Sequence, residues 1–199
     1  MNHVDVDAAT RHGVLVVNTP ARNAQAVAEH ALALMFALAR RTAAAHAYVA
    51  EGRWQNPAYP YISMRGVELV GRTLGVIGLG SVGRRLAQMA SAIGMEILAH
   101  DPYVDSVPEA TLTTLHELMA KSDFISLHIP LTPETEGLLD DRTLALLKPT
   151  AFVISTSDAA LIDQDALVSA ITQKRIAGAA LDVFETHPIA PDSPLLSLD

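Results

Sequence analysis

The sequence predicts a doubly wound α/β fold, in which helices cover both faces of a parallel sheet. Apolar, β-branched runs alternate with segments of helical period from Thr73 to Leu181, and a glycine-rich turn follows the first of these runs. The runs are continuously apolar, as strands buried on both faces of a sheet are. Right-handed crossovers between such strands place helices on both faces, which is the doubly wound arrangement.

Two elements are predicted ahead of this alternation. The apolar run Val14–Val17 predicts a short strand, and the alanine-rich segment from Ala24 to Tyr48 predicts one long helix that ends before Gly52. The stretch from Trp54 to Tyr61 is rich in turn residues. A long helix outside the regular alternation suggests a connection between two structural units.

Strands and helices are then expected in strict alternation. The predicted strands are Leu74–Ile77, Glu96–Ala99, Phe124–Leu127, Ala151–Ile154 and Ile176–Leu181. The predicted helices are Val82–Ile93, Thr114–Ala120, Asp140–Leu147 and Asp163–Thr172.

Composition narrows the classes of partner. The 199 residues are 50% hydrophobic and carry a formal net charge of -8, which disfavours nucleic acid and anionic membrane surfaces. The longest apolar run, Ala31–Ala39, is too short to span a bilayer, and the start at Met1 lacks the form of a signal peptide. The absence of cysteine fits a reducing, cytoplasmic compartment. No histidine spacing indicates a metal site, and His30 is interpreted as a packed or capped helix residue.

The glycine-rich turn carries the most chemical information. Gly78-Leu79-Gly80-Ser81-Val82-Gly83 follows an apolar strand and opens a helix. Gly78 allows a tight turn, Gly80 lets the backbone approach a pyrophosphate, and Gly83 lets the helix pack closely on the strand. Free N–H groups at the start of the helix would bind the phosphate charge. This context predicts a dinucleotide-binding site.

An acidic residue at the end of the next strand strengthens that prediction. Asp101 stands eighteen positions after Gly83, where a carboxylate can accept hydrogen bonds from the adenosine ribose hydroxyls. It would repel a 2′-phosphate, and no arginine follows it in the segment His100–Tyr103, so NAD is predicted over NADP. The alternative is that the glycines only form a turn and Asp101 only solvates the end of a strand.

Several separate segments together resemble one enzyme family. They are Asn18-Thr19-Pro20, Val27-Ala28-Glu29-His30, the glycine loop, His128-Ile129-Pro130-Leu131-Thr132 and Gly178-Ala179-Ala180-Leu181-Asp182-Val183-Phe184. In this order they resemble the D-2-hydroxyacid dehydrogenases, which include phosphoglycerate, glycerate and formate dehydrogenases. The resemblance implies hydride transfer between NAD and a small 2-hydroxy or 2-oxo acid.

The resemblance also implies roles for individual cofactor-binding residues. Ser81 and Val82 would donate backbone N–H groups to the pyrophosphate, and Pro130 would line the adenine-ribose side. Thr156, Ser157 and Asp158 would pass beside the nicotinamide, whose carboxamide Asp182 would hold.

Asn23, at the start of the long helix, would lie near the substrate in a member of this family. The sequence leaves a second interpretation open at this position, because asparagine is also a common helix cap.

The sequence departs from the family at all three expected catalytic positions. The family's substrate-binding arginine corresponds to Asp158, and its glutamate corresponds to His187, which precedes Pro188. The family's histidine would lie beyond Asp199. Aspartate at position 158 would disfavour an anionic 2-oxo acid and disfavour a neutral or cationic substrate less. His187 is either a substitute proton donor or a surface residue of a turn, so the catalytic residues are not assigned.

The domain prediction and three hypotheses follow from this pattern. Residues 1–20 are expected to be the remnant of a flavodoxin-like substrate domain, and residues 21–199 an NAD-binding domain that includes the long interdomain helix and is incomplete at its C-terminal end. The chain would be part of a dehydrogenase, or a relative that kept NAD binding as a regulatory module without turnover. A third hypothesis makes the alanine-rich helix a dimerisation surface of a homodimer.

Overall fold

A computed structural model describes residues 4–198 of the chain. Its centre is a six-stranded sheet with the strand order β3-β2-β1-β4-β5-β6, in which every neighbouring pair is parallel. The strands are β1 (Thr73–Ile77), β2 (Glu96–His100), β3 (Thr111–Leu112), β4 (Phe124–Leu127), β5 (Phe152–Ser155) and β6 (Gly178–Leu181). This is the strand order of dinucleotide-binding doubly wound folds. The fold class predicted from the sequence is thereby confirmed.

Helices precede, connect and flank these strands. They are α1 (Val6–Arg11), α2 (Ala24–Arg40), α3 (Thr42–Ala50), α4 (Ala58–Ser63), α5 (Ser81–Ala92), α6 (Leu115–Lys121), α7 (Asp141–Leu144) and α8 (Gln164–Thr172). Two short 3₁₀ turns lie at Ala159–Leu161 and Pro194–Ser197.

The order in which strands are added to the sheet reverses between β1 and β4, although all strands stay parallel. The chain builds β1, β2 and β3 in one direction and then returns to place β4 on the other side of β1. Because the connecting helices then lie on opposite faces, a crevice opens at the carboxyl ends of β1 and β4. A ligand of this fold is expected there.

Each face of the sheet buries its own apolar core. On one face, α2 and α5 cover side chains such as Leu74 and Val76. On the other face, α6, α7 and α8 contribute to a second cluster with Ile77, Ile125 and Leu127. Successive strand residues point to opposite faces, so strands that are apolar at every position supply both clusters.

The alanines of α2 pack within the chain. Ala28, Ala31 and Ala39 are buried in the same core cluster as Leu86 and Ala90 of α5. Small side chains allow the two helices to approach closely. The buried alanines already pack against residues of the same chain. They therefore do not support the hypothesis that the alanine-rich helix is a subunit surface.

Two of the predicted elements differ from the structure, and α1, α4 and one strand were not predicted. Residues Val14–Val17 form no strand, because a strand needs a neighbouring strand to satisfy its backbone and none lies beside this segment within residues 4–198. The predicted long helix is two helices, α2 and α3, separated by Arg41 with a left-handed backbone (φ 54°). The two-residue strand β3 was not predicted.

None of the helices found in residues 4–198 is long and apolar enough to cross a membrane.

Candidate functional site

A cavity of about 320 Å³ lies at the reversal point of the sheet. Its walls come from the glycine loop after β1, the segments after β4 and β5, and the first turn of α2. The lining residues are Ala21, Asn23, Ala24, Val27, Gly80, Ser81, Val82, His128, Ile129, Thr156 and Ser157. Six of these residues were predicted to contact the cofactor or the substrate: Asn23, Gly80, Ser81, Val82, Thr156 and Ser157.

Glycine is present at the three positions of the loop for different structural reasons. Gly78 has a φ of +95°, and a Cβ there would lie 2.6 Å from the His128 carbonyl oxygen. A Cβ at Gly83 would lie 2.0 Å from the Gly78 carbonyl oxygen. A Cβ at Gly80 would meet no protein atom within 4 Å. Gly78 and Gly83 are thus required by the fold, whereas Gly80 leaves open space at the cavity wall.

Two helices begin at this cavity. Neither Gly80, the N-cap of α5, nor Asn23, the N-cap of α2, supplies a side-chain hydrogen bond to its helix. The N–H groups of both first turns therefore lack a side-chain cap, and helix N-termini carry partial positive charge. Asn23 occupies a cap position without capping through its side chain, which leaves its amide available to a ligand.

Asp101 is bonded directly to the glycine loop. Its Oδ2 accepts a hydrogen bond from Leu79 N at 2.7 Å, and its Oδ1 accepts one from Tyr103 N at 2.9 Å. Each carboxylate oxygen has two lone pairs, so both oxygens can still accept a hydrogen bond from a ligand. The carboxylate is half-buried.

The segments after β4 and β5 present polar groups to the cavity. The Thr156 hydroxyl is buried and has no hydrogen-bond partner within the described residues. Ser157 Oγ donates to the Leu127 carbonyl at 2.8 Å, and His128 Nε2 lies 2.8 Å from Ser126 Oγ. Burial lowers the pKa of His128 to about 4, so this imidazole is neutral at neutral pH.

These features fit a bound dinucleotide. A buried hydroxyl without a partner is costly unless a ligand satisfies it. The open space at Gly80, beside two uncapped helix N-termini, is suited to a phosphate group. The residues present therefore fit such a cofactor.

Neither of the replaced catalytic positions lines the cavity. Asp158 caps the 3₁₀ turn, with Oδ1 accepting from Ala160 N at 3.1 Å. His187 lies exposed in the bend that follows β6. Within residues 4–198 neither side chain takes part in an ion pair.

Six of the predicted cofactor-binding residues lie outside the cavity lining: Gly78, Gly83, Asp101, Pro130, Asp158 and Asp182. Pro130 is exposed, and its carbonyl accepts a hydrogen bond from Thr135 Oγ1 at 2.8 Å. Asp182 follows β6 and contacts His30 of α2, with 3.3 Å between His30 Nε2 and Asp182 Oδ1. The sequence interpretation of His30 as a packed or capped residue missed this contact.

Within residues 4–198, no group of three or more histidine, aspartate or glutamate side chains is arranged to hold a metal ion.

Comparison with known proteins identifies the family. The family model for the NAD binding domain of D-isomer specific 2-hydroxyacid dehydrogenases matches residues 32–199. The chain belongs to this family. The predicted resemblance and the doubly wound fold are confirmed, and the domain is an NAD-binding one.

Individual relatives agree with this assignment. The chain is 44% identical over 202 residues to D-3-phosphoglycerate dehydrogenase of Mycobacterium tuberculosis, which aligns with 100% of this chain and 37% of its own length. The crystal structure of the TT0316 protein from Thermus thermophilus is 38% identical, with a TM-score of 0.92 over 100% of this chain and 62% of that one. An acyclic imino acid reductase in complex with NADPH and D-Arg is 35% identical, with a TM-score of 0.88 over 100% and 62%.

The chain thus spans between about a third and two thirds of the length of these relatives. Their names are those of oxidoreductases where a function is given, so the regulatory alternative is not favoured.

Proposed function

We propose that this chain is the cofactor-binding part of an oxidoreductase that acts on the CH–OH group of 2-hydroxy acids. The observation that carries the proposal is the cavity at the reversal point of the sheet, where Gly80 leaves open space between two uncapped helix N-termini. In a doubly wound fold this is the position of a dinucleotide.

The described residues suggest how NAD would be held. The N–H groups of Ser81 and Val82, at the start of α5, would bind the pyrophosphate. Asp101, still able to accept hydrogen bonds, would bind the adenosine ribose. Gly78 and Gly83 would shape the loop, and Pro130 would lie on the adenine-ribose side.

The nicotinamide would lie toward the other side of the sheet. Thr156 and Ser157 line the cavity there, Asp158 follows them in sequence, and Asp182 stands at the end of the next strand. The unpartnered Thr156 hydroxyl would gain a hydrogen bond from the bound cofactor. Asn23, with a free side-chain amide at the cavity, would face the substrate.

The chemistry expected of this site is hydride transfer. Bound NAD would supply the acceptor for a hydride from C2 of the hydroxy acid, and a base would take the hydroxyl proton, so that the products would be a 2-oxo acid and NADH. No described residue is assigned as that base. The contribution proposed for this chain is cofactor binding and orientation.

Cofactor preference follows from Asp101. Its carboxylate would repel the 2′-phosphate of NADPH, so NADH is expected to bind more tightly. The imino acid reductase relative is in complex with NADPH, so binding of the two cofactors has to be compared directly in this chain. Calorimetric titration of the folded chain with NADH and with NADPH tests the proposal. If neither NADH nor NADPH bound saturably, the proposal would be refuted.

Aspartate at position 158 suggests a second candidate substrate class. An unpaired, half-buried carboxylate beside the nicotinamide would disfavour an anionic 2-oxo acid. A relative of this chain is an acyclic imino acid reductase in complex with the cationic amino acid D-Arg. A turnover screen should therefore compare glyoxylate, pyruvate and hydroxypyruvate with the same acids mixed with an amine, which supplies an imine. Oxidation of NADH only with the amine present would favour the imine class.

We infer also that the chain forms a homodimer. Exposed apolar side chains cluster in sequence around α3 and α4: Val49, Trp54, Tyr59, Tyr61 and Ile62 are each more than half exposed. Large exposed apolar side chains that lie together are typical of an interaction surface. The double substitution Tyr61→Ser and Ile62→Ser should shift the mass measured by light scattering toward the monomer, whereas Tyr103→Ser, which alters a 94% exposed side chain elsewhere, should not. An unchanged mass in the double variant would contradict this interface.

The domain boundary and the cellular location remain predictions. The division of the chain near residue 20 would be tested by limited proteolysis. The cytoplasmic location would be tested by fractionation of cells that express the tagged protein.

A further inference from the structure

The contact between His30 and Asp182 joins two distant parts of the chain at the edge of the candidate site. His30 lies in α2, and Asp182 directly follows β6. His30 Nε2 is 3.3 Å from Asp182 Oδ1, and the two side chains are 48% and 50% exposed. Exposed ion pairs add little to the stability of a protein. Stability therefore does not explain why this pair exists.

The position of the pair suggests a role in binding. Asp101, after β2, marks the adenosine side of the sheet, and the glycine loop after β1 marks the pyrophosphate. A dinucleotide that continues in the same direction passes the ends of β4 and β5 and approaches β6, where Asp182 stands. This order places the carboxylate of Asp182 on the nicotinamide side.

His30 contacts that carboxylate from α2, about one turn beyond a residue that lines the cavity. It lies three positions after Val27, which lines the cavity, so the two side chains share one face of α2. The only ion pair of Asp182 among the described residues is the one with His30, and it involves Oδ1. Oδ2 is then left to accept a hydrogen bond from a ligand.

We propose that His30 is a positioning residue for the nicotinamide half of the cofactor. By holding Oδ1 of Asp182, it orients Oδ2 toward the N–H groups of the carboxamide. The inference rests on the proposed function, since it takes Asp182 as the carboxamide acceptor. It assigns no chemical step to His30, which acts only through Asp182.

ADP-ribose provides the test, because it has the adenosine and pyrophosphate of NADH but no nicotinamide. The His30→Leu substitution should weaken NADH binding by about tenfold, the size expected from the loss of one well-oriented hydrogen bond to a charged group. The affinity for ADP-ribose should stay within about twofold, since a hydrogen bond of that size is not lost there. His30→Gln, whose amide can still donate to Asp182, should recover most of the NADH affinity.

Two further variants sharpen the result. Asp182→Ala should weaken NADH binding at least as much as His30→Leu, and the double variant should lose no more than Asp182→Ala alone. His46→Leu changes another exposed histidine, on α3, and should alter neither affinity.

The outcomes separate this inference from the proposed function. Equal weakening of NADH and ADP-ribose by His30→Leu would show that His30 acts through the general structure of α2, and no change in either would show a surface contact without a role. Both results overturn the inference while cofactor binding by the unaltered chain stands. Failure of the unaltered chain to bind either ligand would overturn the proposed function as well.

Discussion

Asp101 and Leu79 are joined by a 2.7 Å hydrogen bond from the backbone N–H of the glycine loop to the carboxylate Oδ2. The residue predicted to bind the ribose therefore also holds the loop predicted to bind the pyrophosphate. Because one carboxylate would then serve both purposes, we expect recognition of the two parts of the cofactor to be coupled. A change at Asp101 should affect both the affinity for NADH and the choice between NADH and NADPH.

We expect Asp101→Asn to weaken NADH binding by about 10- to 100-fold, the cost of losing a hydrogen bond with a charged acceptor. NADPH binding should weaken less, because the repulsion of its 2′-phosphate disappears with the charge. Calorimetric titration with both cofactors measures the ratio of affinities. Asp105→Asn removes the same charge from an exposed side chain nearby and is the control. An unchanged NADH-to-NADPH ratio in Asp101→Asn would contradict the role of this carboxylate.

Gly80→Ala should weaken cofactor binding while the fold is retained. The backbone of Gly80 (φ -68°, ψ -167°) is one that alanine adopts, and its Cβ would meet no protein atom within 4 Å. The methyl group would occupy space needed by the pyrophosphate, and a forced contact of this kind costs roughly 1–3 kcal/mol. Urea unfolding should give the stability of the unaltered chain, and NADH titration should give at least about tenfold weaker binding.

Gly83→Ala is the matched comparison within the same loop. Its Cβ would lie 2.0 Å from the Gly78 carbonyl oxygen, so α5 would have to move away from β1. This variant should unfold at a lower urea concentration. If Gly80→Ala and Gly83→Ala lost the same stability, the loop geometry would be different from the one described.

The sequence predicted those parts of the fold that are specified by local signals. The strand Phe124–Leu127 has the predicted bounds, because a short apolar run between polar residues leaves little choice. The two-residue strand β3 has no such run and exists through its pairing with β2, where Leu98 lies opposite Thr111. Two residues are too few to show a period.

Long-range contacts account for the remaining differences. No glycine or proline in the sequence indicates the helix break at Arg41. A distant residue contacts the end of α2 there, because the backbone N–H of Val67 donates to the Ala39 carbonyl. The contact of His30 with Asp182 joins residues on opposite ends of the chain. The glycine loop and Asp101 were predictable because each requires a particular residue type at a fixed spacing, whereas the unpartnered hydroxyl of Thr156 depends on packing that no spacing reveals.

Thr156→Val should stabilise the chain without cofactor, whereas Gly83→Ala should destabilise it. Among residues 4–198 the buried Thr156 hydroxyl has no partner, and such a group costs about 1–3 kcal/mol. Its removal should raise the free energy of unfolding of the chain without cofactor by about 1 kcal/mol and weaken NADH binding. Thr143→Val is the control, since the Thr143 hydroxyl bonds to Asp140 and Leu138 and its loss should destabilise. A less stable Thr156→Val chain would show that the hydroxyl has a partner within the protein.

Stability should fall in mild acid because of His128. Burial lowers the pKa of His128 from 6.5 to about 4, so between these values the unfolded chain binds a proton that the folded chain does not. The contribution of the neutral imidazole is complete above pH 6.5 and is lost progressively as the pH falls toward 4, by at most about 3 kcal/mol in total. His128→Gln, which keeps a group able to bond to Ser126, should reduce this loss, as measured by urea unfolding at several pH values across that window.

His116→Gln is the matched control for this pH dependence, because His116 is exposed on α6 and its removal should leave the dependence unchanged. Carboxyl groups also titrate at the lower end of the range, but they are common to all three proteins, so the difference between the curves isolates the imidazole. If the unaltered chain and His128→Gln lost stability in parallel from pH 6.5 downward, burial of a neutral His128 would be refuted. A smaller loss in His128→Gln alone would show that the wall of the cavity contains an imidazole that stays uncharged under physiological conditions and adds no positive charge beside the bound cofactor.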